Sequence, residues 1–181
     1  MKGWRRRFWR CRCLLRFRFP IPGAMYKSPV SVLVVIHTRN LDFLLLDRAA
    51  HPGYWQSVTG AQEAGESLFE TALREVWEET GIAVEPEALR DWRQSRTYEI
   101  FPEWRERYAP EVTHNTEHLF SLCLVDRPLI RLSPAEHRDF LWLPSAKAAV
   151  RCFSQSNREA IRQVTEAQEG ERQGKATAAR N

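Results

Sequence analysis

The chain has 181 residues, enough for one domain with a sizeable core plus tails, and a formal charge of +4. Residues 1–24 hold Lys2 and seven arginines (Arg5, Arg6, Arg7, Arg10, Arg12, Arg16 and Arg18) with no acid, so the remainder carries 19 basic and 23 acidic side chains, about −4. The basic balance therefore implies no nucleic-acid-binding face on the body, no run reaches the ~18 apolar residues of a membrane span, and the four cysteines (Cys11, Cys13, Cys123, Cys152) lack zinc or disulfide spacing, which points to a reducing cytoplasm.

In chain order, residues 1–24 interleave arginine with aromatics and lack the continuous apolar core of an export signal. They read either as a basic amphipathic segment for membranes or RNA, or as sequence ahead of the true start. Met25, directly before the first periodic strand, favours the second. Val30–Ile36 is a β-branched run expected to form a buried strand. Arg39-Asn40 mark a turn, and Phe43–Leu46 a second strand ending at Asp47-Arg48. His51-Pro-Gly53 is a loop and Trp55–Val58 a short strand. Ser67 to Thr80 reads as a helix, because Leu68, Phe69, Ala72, Leu73 and Val76 share one apolar arc, with Ser67 as its cap and Gly81 as its left-handed stop. Short strands are expected at Ile82–Val84, Arg93–Ile100, Thr116–Val125 and Phe140–Leu143, with a charged loop at Phe101–Pro110 and a closing helix at Ser154–Val164. The polar stretch 166–181 lacks apolar periodicity and is expected to be disordered, leaving 25–165 as the domain. Alternating strands and helices imply an α/β fold with a mixed central sheet and helices on both faces.

The chemistry concentrates between Gly60 and Ile82. At helical spacing Glu75, Glu78 and Glu79 fall on one face beside the apolar arc, where three like charges repel unless a cation sits among them. Hard divalent cations such as Mg2+ or Mn2+ take carboxylate oxygens together with water and substrate phosphates. Arg74 lies four residues before Glu78 and is placed to hold a carboxylate. Gly60 and Gly65 frame a loop whose backbone can approach a metal or phosphate. A lone Glu-x-x-Glu-Glu would read as a solvated helix face. Here Gly60, Glu66, Arg74, Glu75, Val76, Glu78, Glu79, Gly81 and Ile82 stand in register together.

In that register the segment resembles the 23-residue signature of the Nudix hydrolases, with every fixed position filled. The resemblance implies the α/β/α sandwich of that family and cleavage of a nucleoside diphosphate linked to another group. Outside the signature, Tyr26 to Ile36, Trp55 to Gly60, Tyr98 to Phe101, Arg107 to Pro110, Asn115 to Glu117 and Ser156 to Arg158 are similar to the bacterial members that act on dihydroneopterin triphosphate in folate biosynthesis. It implies Glu75, Glu79 and Glu117 as metal ligands and Glu78, Arg74 and Glu66 as the catalytic group. It also implies Lys27, Arg48, Thr59 and Tyr98, Glu99, Ile100 and Phe101 as contacts to substrate. Lys27 and Arg48 would meet phosphate oxygens. Tyr98 and Phe101 would either stack on a flat pterin ring or simply pack in the core. The expected partner is a small pterin or nucleoside triphosphate, with neither nucleic acid nor membrane. Two other functions fit the same residues: hydrolysis of (d)NTPs such as dATP or of dinucleoside polyphosphates, and a non-catalytic binding module. The four aligned glutamates speak against the last. His114, His118 and His137 read equally well as ordinary surface or structural histidines and as catalytic ones.

Overall fold

The computed structural model describes residues 26–178, so the expected N-terminal extension lies outside the described residues. A mixed seven-stranded sheet forms the middle layer. Its axis is β1 (Val30–Thr38), paired in parallel with β6 (His114–Leu124) from Val30 opposite Thr116 to Thr38 opposite Leu124. On its other edge β1 meets β4 (Val58–Ala61) in its first half and β2 (Asp42–Arg48) in its second, both antiparallel. β2 in turn pairs with the short β3 (Trp55–Gln56) and with β7 (His137–Pro144), and β5 (Leu89–Glu99) closes the far edge beside β6.

Alternation along β1 explains its continuous apolar run. Val32, Val34 and Ile36 pack with Leu44, Leu46, Phe120 and Leu122 under α1 (Leu68–Thr80). Leu33 and Val35 face the other way, with Phe43, Leu45 and Leu119, under α2 (Ser145–Arg151) and α3 (Gln155–Ala178). A strand covered on both faces carries no polar alternation. The α/β/α sandwich is therefore present as expected. Ser67 caps α1 in a reciprocal box with Glu70, and Gly81 ends the helix at φ 70°.

Three expectations fail locally. Ile82–Val84 forms no strand: Ile82 is a core residue whose N–H donates to Thr80 Oγ1 at 3.2 Å, so the helix end claims it. The stretch from 166, expected to be disordered, continues α3 as helix to Ala178, where Arg90 on β5 pairs with Glu171 at 2.8 Å. Its alanines, glutamates, glutamines and arginines are good helix formers, and disorder had been inferred only from missing apolar spacing. β5 begins at Leu89 rather than Arg93, because Arg93 sits in a register shift at φ 52° with its N–H bound to Asp91 Oδ1 at 2.7 Å. The seven-residue helix α2 was not expected at all. No helix among the described residues is long and apolar enough to cross a membrane.

Candidate active site

The site lies where α1 meets β4 and the start of β7. Arg74 organises it. Its Nε and Nη2 donate to the two oxygens of Glu66 at 2.7 and 3.0 Å, and Nη2 also reaches the Ala61 carbonyl at 3.0 Å. Nη1 donates to Glu75 at 2.6 Å and to Glu78 at 3.2 Å. Glu66 further accepts from the Thr71 hydroxyl and the Glu63 N–H. Arg74 and Glu66 are thus saturated with protein partners: they lock the loop 61–66 onto the helix and orient Glu75 and Glu78. Burial opposes the Arg74 charge, but the bonds to Glu66 and the charge of Glu75 outweigh it and hold its pKa up. The Arg74 bond keeps the Glu66 carboxyl below its ordinary value.

Gly60 faces Glu75 so closely that a Cβ there would overlap the Glu75 carboxyl group. Glu75 is 8 % exposed, and burial pushes its pKa up to about 7 against the pull of Arg74, with Glu79 and Glu78 adding repulsion. Glu79 is 2 % exposed and its pKa is likewise raised well above the ordinary value, by burial first and then by the charge of Glu136. The Thr59 backbone and His137 Nε2, the latter at 2.9 Å, are its hydrogen-bond partners. Glu78 stays half exposed on the rim. Glu79, Glu136 and His137 each place a ligand atom within 4.8 Å of the others, and two carboxylates held this close repel each other in a way that a divalent ion would relieve. Sequence reasoning missed Glu136 and did not choose between a structural and a catalytic role for His137. The only available signal was an acid–histidine pair just ahead of the last apolar strand.

Glu117 is not in this group. It faces α3, on the far side of the sheet, where it bonds the Ser156 and Tyr98 side chains and lines a small cavity with Leu33, Arg96 and Ala160. Its pKa is raised by that burial. Parity decides the matter, because Glu117 lies opposite Ser31 on β1 and shares its face with Leu119, whereas α1 covers Val32 and Phe120. The structure corrects its expected place among the metal ligands.

The other expected contacts divide. Arg48 Nη1 donates to Gln56 Oε1 and Gln56 Nε2 to Thr59 Oγ1, each at 3.0 Å, so Arg48 and Thr59 form one polar row leading to Glu79. The Lys27 side chain keeps much of its surface in solvent, but local burial and the charge of Arg107 still lower its pKa, with Glu75 pulling the other way. Tyr98 is taken up by packing, since its hydroxyl accepts from Asn115 at 3.1 Å and neighbours Glu117, and burial raises its pKa. Ile100 is a core residue and Glu99 points into solvent. Phe101 is 41 % exposed and joins an aromatic group that sequence reasoning did not assemble. Trp104 meets Phe101 edge-on at 5.1 Å and Phe153 at 6.2 Å, Tyr54 stacks on Phe153 at 4.8 Å, and Trp104 donates to His51 at 3.2 Å. The Arg48 guanidinium lies over Trp104, 5.2 Å from its centroid.

An acidic floor flanked by cations and an aromatic group has the chemistry to take a polyphosphate attached to a flat ring. The chain is 44 % identical to a dihydroneopterin triphosphate diphosphatase of Haemophilus influenzae over 140 residues, 76 % of this chain and 87 % of that protein. It is equally identical to the enzyme of that name in Escherichia coli over 142 residues, 77 % and 93 % of the two chains. The structure of the E. coli dihydroneopterin triphosphate pyrophosphohydrolase superimposes with a TM-score of 0.72, covering 77 % of this chain and 96 % of that one. Residues 27–164 match the NUDIX domain, and the chain belongs to the Nudix hydrolase family.

Proposed function

We propose that the chain hydrolyses dihydroneopterin triphosphate to dihydroneopterin monophosphate and pyrophosphate with Mg2+, Mn2+ being an alternative ion. One observation carries the reading: two buried acids, Glu75 and Glu79, lie beside Lys27, Arg48 and an aromatic group that includes the exposed Phe101. The 44 % identity to enzymes named for that substrate supports it. Glu75, Glu79 and Glu136 would hold the divalent cation, which when bound neutralises the triphosphate and lowers the pKa of a coordinated water.

The chain's own residues do the rest. Arg74 and Glu66 keep the carboxylates of α1 aimed. Lys27 and Arg48 bind phosphate oxygens, and the aromatic group excludes water around the ring. Glu78, half exposed and steered by Arg74, is free to take the proton of the attacking water. Water adds to a phosphorus, the bridging P–O bond between the α and β phosphates breaks, and pyrophosphate leaves. Positioning and charge stabilisation supply most of the acceleration, as in other phosphoryl transfers. Pyrophosphate release measured on dihydroneopterin triphosphate, dATP, dGTP and diadenosine polyphosphates with Mg2+ tests the reading. Outright preference for dATP would replace it with a nucleotide hydrolase.

A further inference from the structure

Lys27, Arg48 and Arg107 come from three distant segments and meet beside the acidic floor. Arg107 ends the 3-10 turn Pro102–Arg107. Its carbonyl accepts the Lys27 N–H at 2.7 Å, fastening that turn to the residues leading into β1. In a 3-10 helix residues three apart eclipse one another. Arg107 therefore follows Trp104 on one side of the turn, the residue whose ring carries the Arg48 guanidinium. Next to burial, the charge of Arg107 is what most depresses Lys27, and it depresses Arg48 as well. Glu75 and Glu136 support the charge on Lys27, and Glu79 and Glu136 support that on Arg48. Arg107 is exposed and has no carboxylate partner among the described residues.

Three neighbouring cations repel one another unless an anion bridges them, and a chain of phosphates does so with one charged group for each. The metal-site acids support the charges of Lys27 and Arg48, whereas Arg107 forms no ion pair with any of those acids. We propose that Arg107 binds the phosphate of a triphosphate that lies farthest from those acids, and so makes the site prefer triphosphates over diphosphates. This rests on reading the site as a polyphosphate hydrolase. It adds a residue and a chain-length specificity that neither the Nudix signature nor the other expected contacts contain. Lysine would keep the charge but lose the forked donor pair.

The test compares Arg107→Ala, Arg107→Gln and Arg107→Lys with the wild-type chain, using Arg105→Ala as a control for lost charge on the same turn. Binding of inorganic tripolyphosphate and of pyrophosphate is measured by calorimetry with Mg2+, alongside kcat/KM for dihydroneopterin triphosphate and the corresponding diphosphate. The expected result is that Arg107→Ala and Arg107→Gln weaken tripolyphosphate by about tenfold or more, the scale of one lost charge-assisted contact. Pyrophosphate binding and turnover of the diphosphate change little, Arg107→Lys recovers part of the loss, and Arg105→Ala stays near wild type. Unchanged tripolyphosphate affinity overturns the inference, and so do parallel losses on triphosphate and diphosphate. If the wild-type chain binds tripolyphosphate through Arg107 yet releases no pyrophosphate from dihydroneopterin triphosphate, the substrate reading falls and the Arg107 contact stands.

Discussion

Glu75→Gln in the metal-free protein isolates the electrostatic cost of the acidic floor. The Glu75 pKa rises from the ordinary 4.5 to about 7 in the folded chain, chiefly through burial. A raised folded pKa means that its contribution to stability is complete below pH 4.5. That contribution drains away as the unfolded chain ionises first, and it levels off above pH 7. At about 1.36 kcal/mol per pKa unit, the shift corresponds to roughly 3 kcal/mol lost between those limits. For a chain of this size it is about 6–12 °C in melting temperature. Glutamine mimics the protonated acid and can still accept from Arg74. In EDTA the two proteins should therefore melt alike near pH 4, and the variant should be more stable by that margin at pH 8. Glu79 pushes the same way in both proteins, so the difference reports Glu75. Melting curves recorded from pH 4 to 8.5 decide it: an equal pH dependence in the two proteins refutes an elevated Glu75 pKa. Added Mg2+ should restore stability at pH 8 more in the wild-type chain than in the variant.

Glu79→Gln removes the charge of a buried ligand candidate, so Mg2+-dependent activity should fall by at least ~10²-fold with the melting temperature unchanged or slightly higher. Full activity would remove Glu79 from the metal site. Gly60→Ala should leave the fold intact, because the Cβ displaces only the flexible end of Glu75. Its Mg2+ affinity should nevertheless drop by about tenfold or more, the scale seen when a supporting group of a metal site is lost, and unaltered Mn2+ binding in calorimetry would contradict the close approach. Asn157→Ala leaves the buried Ser57 N–H without its 2.7 Å acceptor and should cost roughly 1–3 kcal/mol in denaturant melts. No loss there would mean that water replaces the contact.

What the sequence determined is local. The positions of α1, its Ser67 cap, the Gly81 stop and the grouping of Arg74, Glu75, Glu78 and Glu79 all follow from a 100° turn per residue, so spacing alone places those side chains. The two-faced burial of β1 was legible for a similar reason, since an unbroken β-branched run suits a strand covered on both sides. The helix α2 and the continuation of α3 were not legible, because a seven-residue element and an Ala/Glu/Gln/Arg stretch carry too little apolar periodicity. The tertiary structure decided which distant residues join the helix acids. Glu136 and His137 arrive because β7 pairs with β2, and Arg107 is tied to the residues before β1 because its carbonyl accepts the Lys27 N–H. Glu117 goes to the other face because it aligns with Ser31 rather than Val32. Side chains alternate across a strand, so one step of register moves a carboxylate through the sheet, and that register is set by pairing between segments far apart in the chain.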